Sequence, residues 1–209
     1  MPDYASGPMR TYVDDLASNK PAPGGGSAAA LVGALGAAAA SMAANFTVGR
    51  EKYADVEPQV AAALDALNEL RGQLLGLVDE DVKAYSTVGP AYGMPRGTDE
   101  ERAARAEAIQ AALKVAVGVP IRVCGAALAA LKQCEALVGI CNRMLVSDVA
   151  VGAILAEAAW RAGRINVEIN LGAMNDEAFV TDTRARIEAD GAEARAIHDR
   201  VCAAAAERM

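Results

Sequence analysis

Residues 21–53 read PAPGGGSAAALVGALGAAAASMAANFTVGREKY, and from Pro21 to Gly49 the chain carries no charged residue. A run of roughly 20 apolar residues is enough to cross a bilayer. This one is built mostly of Ala and Gly with Ser27, Ser41, Asn45 and Thr47, a composition that transfers poorly into lipid. The reading it favours is a helix buried on every face inside a helical protein. The prolines and glycines of Asn19–Gly26 hold a loop ahead of it. Ser27 stands where an N-cap belongs, and the helix is expected from Ala28 to about Thr47, with Gly49 ending it. Gly33, Gly36, Ala37 and Ala40 leave no bulk between this helix and its neighbours. At 1.5 Å per residue it is about 30 Å long.

The flanking sequence is helical in pattern. Residues 8–18 place Met9, Tyr12, Val13 and Leu16 on one side of a short amphipathic helix. After a charged connection over 50–56, Val60, Leu64, Leu67, Leu74, Val78, Val82, Tyr85 and Val88 recur at sums of three and four, which predicts one long helix from Glu57 to about Val88. Residues 89–98 read as a loop. Thr98 and Glu101 form a capping-box pattern at the start of the next helix. Pro120 is expected to kink or interrupt that helix, which otherwise continues to about Leu131. Residues 133–145 read as a helix or a helix and turn. Ser147 and Asp148 are expected to cap a helix over 149–162 that ends near Gly163, and a last helix spans about Asp176–Ala206. The fold expected is all-α, one helical domain over 1–209 with six to eight helices.

Composition agrees. Alanine accounts for 49 of the 209 residues, while aromatics make up only 4%; alanine is the best helix former, and the residues that favour sheet are scarce. The net charge of −7 excludes a general nucleic-acid binder, which needs a basic face. No apolar leader opens the chain, so a cytoplasmic protein outside the membrane is expected. Cys124, Cys134, Cys141 and Cys202 show no CxxC spacing and read as reduced packing thiols. The single His198 lies in a polar helix and reads as a surface residue, and the glycines match no nucleotide-binding fingerprint. No metal site is expected.

Four groups could carry chemistry. Pro23, Gly24, Gly25, Gly26 and Ser27 open the buried helix: free N–H groups there attract an anion or a polar ring edge, although a tight entry turn would use the same residues. Asn45 and Thr47 end that helix ahead of Arg50, Glu51, Lys52 and Tyr53; polar groups there need partners, which C-capping would also supply. Of the consecutive acids Asp79, Glu80 and Asp81, Asp81 lies nearest the apolar side of its helix. Asn142, Ser147 and Asp148, and then Asn166 and Asn170 four apart on one face, fit a polar pocket, a subunit contact, or capping and buried hydrogen bonds.

Residues 21–53 closely resemble the signature of the cyclodeaminase/cyclohydrolase family of one-carbon folate enzymes. DVKAYSTVGPAYGMPRGTDEE (81–101), IQAALKVAVGVPIRV (109–123) and SDVAVGAILAEAAWRAGRINVEIN (147–170) follow in the family's order. The chain is most similar to the stand-alone bacterial cyclohydrolases. The resemblance implies an all-helical homodimer that hydrolyses 5,10-methenyltetrahydrofolate to 10-formyltetrahydrofolate without a prosthetic group. The alternatives are a formiminotetrahydrofolate cyclodeaminase and a non-catalytic folate-binding dimer. On this reading Lys52 shuttles the proton, and Asp81 or Asp148 stabilises the substrate cation or orients Lys52 or the water. Gln110 bonds the forming carbinol, the glycine loop with Ser27 and Asn45 holds the pterin edge or the glutamate, and Tyr53 or Tyr92 stacks on a ring. One departure is Arg50-Glu51-Lys52, where the family commonly carries a run of lysines before the tyrosine.

Overall fold

The small Gly, Ala and Ser residues on the inner faces of α2 set the architecture. The computed structural model describes residues 3–209 and has six α-helices: α1 (Met9–Leu16), α2 (Gly25–Asn45), α3 (Glu57–Tyr92), α4 (Asp99–Val138), α5 (Val146–Leu171) and α6 (Glu177–Arg208). Two 3-10 turns, Glu51–Val56 and Arg143–Leu145, complete the regular structure. A Cβ added to Gly36 would lie 2.9 Å from the Gly152 carbonyl oxygen, and one added to Gly152 would lie 2.9 Å from that of Gly36. The two backbones therefore touch, and α2 packs along its length on α5.

The contacts run in opposite order along the chain. Gly25 faces Asn166, Gly33 faces Ala159 and Gly36 faces Gly152, so α2 and α5 are antiparallel. Gly26 meets Asp81 and Gly33 meets Leu74, which makes α3 antiparallel to α2 as well. The Arg122–Glu80 and Arg184–Glu168 ion pairs are consistent with an up-and-down bundle of α2 to α6. Its core holds Leu67, Leu131, Leu137, Leu171, Val60 and Val117 at 2% exposure or less. Each such side chain contributes about 1.5–3 kcal/mol on burial.

The all-α expectation holds, and so does the capping box: the Thr98 side chain accepts the Glu101 N–H while Glu101 reaches back to the Thr98 N–H. The uncharged stretch is the buried α2. By length and composition α2 and α4 could each cross a membrane, yet most of each apolar window is buried among the other helices. All four cysteines are free, and Cys124, Cys134 and Cys141 are buried.

Several boundaries differ from the sequence reading. Ser27 is not the N-cap: Gly24 is, and Ser27 sits in the first turn. α2 ends at Asn45, and Gly49, at φ +71°, turns the chain four residues later. α3 continues through Pro90 to Tyr92, beyond the expected loop start. Pro120 does not interrupt α4, which is one 40-residue helix. Burial of Val117, Val119 and Val123 around it offsets the roughly 3 kcal/mol cost of an interior proline. Ser147 and Asp148 do not cap α5; no side chain does, and Asp148 instead lies in its first turn, where a negative charge suits the helix dipole. Gly163 does not end α5 but lets it approach α4, since a Cβ there would meet Cys124 Sγ at 2.9 Å.

Candidate active site

Helical periodicity brings four elements together at the N-terminal end of α2. Asp81, Ala84, Tyr85, Val88 and Tyr92 share one face of α3. Asn166, Ile169, Asn170 and Ala173 follow the same spacing along and just past α5, and Leu113, Ala116 and Pro120 along α4. With Gly24, Gly25 and Gly26 they line a cavity of about 390 Å³, within the size range of small-molecule sites.

Asp81 is its central charge. Its Oδ2 accepts the backbone N–H of Ser27 at 2.8 Å. A Cβ on Gly26 would clash with Asp81 Oδ1, so only glycine fits beside this carboxylate. Burial pushes the Asp81 carboxyl above its ordinary 3.8, opposed by the Ser27 N–H. Its two acidic neighbours are engaged elsewhere. Asp79 accepts the Tyr4 N–H at 2.8 Å and Glu80 pairs with Arg122 at 2.5 Å.

The amide groups of Asn166 and Asn170 are half committed. Asn166 Nδ2 donates to the Ala162 carbonyl at 2.9 Å, and Asn170 Nδ2 to the Asn166 carbonyl at 2.8 Å. A carbonyl can only accept, so each amide must use its nitrogen there and keeps its oxygen free. Pro120, which also lines the cavity, has no N–H to continue the helical ladder at that turn of α4. Tyr85 and Tyr92 are exposed at the rim. Arg105 lies 5.7 Å from the Tyr92 ring centroid and donates to the Tyr92 carbonyl at 3.1 Å.

The remaining expected site residues do not reach this cavity. Pro23 is buried in the loop without lining it. The Ser27 hydroxyl is buried against the Tyr12 hydroxyl at 3.2 Å. Gln110 is a clamp: its Nε2 donates to the Ala173 carbonyl at 3.1 Å and its Oε1 accepts the Asn175 N–H at 2.8 Å, so both ends of the amide tie α4 to the α5–α6 connection.

Asn45, Thr47, Arg50, Lys52, Tyr53, Asn142, Ser147 and Asp148 all belong to the other end of the bundle. α2 spans about 30 Å between the two ends, so within one chain Lys52 does not meet Asp81. Thr47 Oγ1 donates to the Ala43 carbonyl at 2.7 Å and accepts the Asn142 N–H at 2.8 Å, a structural tie. Asn45 Nδ2 donates to the Ser41 carbonyl at 3.0 Å. Arg50 and Lys52 are exposed, with Lys52 Nζ 5.4 Å from the Tyr53 ring centroid.

Sequence reasoning did not single out Tyr85, Ala116, Pro120 or Ile169 as site residues. Tyr85 was findable, because it stands four residues after Asp81 on the same helical face. The α4 wall was not, because nothing local says which helix closes the cavity.

A family model described as formiminotransferase-cyclodeaminase matches residues 8–189. The methenyltetrahydrofolate cyclohydrolase of Methylorubrum extorquens is 40% identical over 92% of this chain and 93% of its own length. The formimidoyltransferase-cyclodeaminase of Rattus norvegicus is 36% identical over 86% of this chain, which spans only 33% of that longer protein. The crystal structure of formiminotetrahydrofolate cyclodeaminase from Thermotoga maritima superposes with a TM-score of 0.87 at 31% identity, covering 97% of each chain.

Proposed function

The chain belongs to the formiminotransferase-cyclodeaminase family, and from that membership we propose that it is a methenyltetrahydrofolate cyclohydrolase. One observation carries the choice of activity: the match to a cyclohydrolase at 40% identity runs over 93% of that relative's length. The reaction is 5,10-methenyltetrahydrofolate plus water giving 10-formyltetrahydrofolate and a proton. The methenyl carbon bridges N5 and N10 as an amidinium-like cation and is already electrophilic, so the reaction as proposed needs neither metal nor prosthetic group. Water adds to that carbon and a base takes one water proton; the carbinol O–H then gives up the second as the C–N5 bond breaks with its electrons going to N5, N5 gains a proton, and the formyl group remains on N10.

We assign the base to Lys52 and the site to a homodimer. The supporting observation is that one chain leaves Lys52 and the Asp81 cavity at opposite ends of α2. The outer face of α2 carries Leu35, Met42 and Phe46, all exposed, and the neighbouring face of α5 carries exposed Val151 and Ile154. A two-fold axis across this apolar face sets two α2 helices antiparallel, so that Lys52 of the partner subunit reaches the mouth of each cavity. Lys52 Nζ placed there stands within reach of the water proton. A cytoplasmic enzyme of one-carbon metabolism is the corresponding cellular reading.

The test is the loss of the methenyl chromophore with purified protein, against the spontaneous rate in the same buffer. A large acceleration that Lys52→Met abolishes, with the fold intact, is the expected result. Full activity in Lys52→Met overturns the assignment of the base. The likeness to the Thermotoga maritima cyclodeaminase favours a second reading. There N10 attacks the formimino carbon of 5-formiminotetrahydrofolate and ammonia leaves, so ammonia release separates the two.

A further inference from the structure

The cavity sets hydrogen-bond donors beside a charged acceptor. Gly25 and Gly26 begin α2, so their N–H groups have no acceptor within the helix. Next to them stands the Asp81 carboxylate, held by the Ser27 N–H through Oδ2. An ionised carboxylate offers about four lone-pair sites; one is used here, and no cationic side chain among the described residues forms an ion pair with it. Along the same wall stand Asn166 and Asn170, each with a free side-chain oxygen and one N–H of its amide still unspent. The wall therefore sets two donors beside a charged acceptor, flanked by two amides that can accept or donate. A ligand edge complementary to it accepts at one position and donates at the next two.

A 2-amino-4-oxopyrimidine ring has that edge: its 4-oxo group accepts, and N3–H and the 2-amino group donate. We propose that Asp81, with the N–H groups of Gly25 and Gly26, reads this edge of the substrate's ring and sets specificity, and that Asp81 does not move the reaction's proton. The proposal rests on the folate reading and deepens it. Gly26 N–H donates to the 4-oxo oxygen, Asp81 accepts from N3–H and the 2-amino group, and the Asn166 and Asn170 oxygens accept remaining ring N–H groups. The second half of the ring, with N5, and the methenyl carbon then face the rim, where Tyr85 and Tyr92 stand. The group that handles the water proton must come from outside this wall.

The test compares binding of 6-methylpterin with that of 6-methyllumazine, in which an oxo group replaces the 2-amino group. Isothermal titration uses the whole protein and needs no turnover. The native protein should prefer the pterin by about 100-fold or more, because the lumazine sets a carbonyl against a carboxylate that keeps its charge unpaired. Asp81→Asn can still accept the Ser27 N–H, and its amide can turn an N–H toward the lumazine oxygen, so the preference should fall below about tenfold or invert. In turnover, Asp81→Asn should raise KM more than it lowers kcat. Equal binding of the two rings by the native protein, no binding of either, or an unchanged ratio in Asp81→Asn overturns the proposal. So does a loss confined to kcat. If the ring preference holds while neither methenyl hydrolysis nor ammonia release occurs, the assignment of activity falls and the recognition of the ring stands. If hydrolysis occurs without ring preference, the reverse follows.

Discussion

Asp81 combines a structural cost with a functional position. Its folded carboxyl titrates above its ordinary 3.8 because burial disfavours the charge. Between those two pKa values the folded state binds the proton more tightly than the unfolded chain, so stability falls as pH rises through that window. The loss is complete above the folded pKa and absent well below 3.8. Asp81→Asn removes the charge and keeps the acceptor for Ser27. Its Tm should exceed that of the native protein at pH 7, and the gap should close on acidification below the ordinary carboxylate range; a constant gap would show that burial of the charge is not its cause. A second residue-scale prediction concerns the thiols. Burial pushes Cys124 and Cys134 up to about 12, and Cys141 is also buried, while Cys202 is half-buried. Titration of the native protein with a thiol reagent should therefore label Cys202 first, with the other three reacting only on unfolding. At this scale the sequence shows that a polar residue in an apolar setting needs a partner. It does not show which partner is the protein itself, as for Gln110 and Thr47, and which polar atom is left facing a cavity, as for the Asn166 oxygen.

Glycines divide by element into those under contact and those in the open. Gly36 sits against the Gly152 carbonyl, whereas Gly72 on the outer side of α3 has nothing within 4 Å of an added Cβ. Gly36→Ala should destabilise by about 1–3 kcal/mol through overpacking. Gly72→Ala should stabilise by about 0.5–1 kcal/mol, because it removes unfolded-state freedom at no steric cost. Urea midpoints of the two variants check both signs. The same contrast explains the boundary errors. Gly163 and Pro120 look like breakers in isolation, yet one is small so that α4 can approach and the other sits in a turn that packing holds helical. Thr98–Glu101 was legible because a capping box is closed by groups only three residues apart.

For the whole molecule, Lys52 and the Asp81 cavity stand at ends of α2 about 30 Å apart. If each site takes its cavity from one protomer and Lys52 of the partner subunit, two variants that each lose activity at substrate levels near the native KM can complement. Lys52→Met and Asp81→Ala, unfolded and refolded together, should regain about a quarter of native activity, since random pairing makes half the dimers mixed and each mixed dimer holds one intact site. No recovery would place both residues' roles within one chain. Leu35→Glu on the outer face of α2 should give a monomer by sedimentation, with activity lost at concentrations where the native protein is active. The sequence alone determined the helical class, the burial of the uncharged stretch and the face on which Asp81 lies. These depend on composition and on a period of 3.6 residues, both local. Only the tertiary structure decided that Asp81, Asn166 and Asn170 share a cavity while Lys52 and Asp148 lie at the far end. Spacing along a helix sets the face of a residue, but which helix ends meet is set by the antiparallel packing of α3 and α5 on a helix whose inner faces carry only small residues.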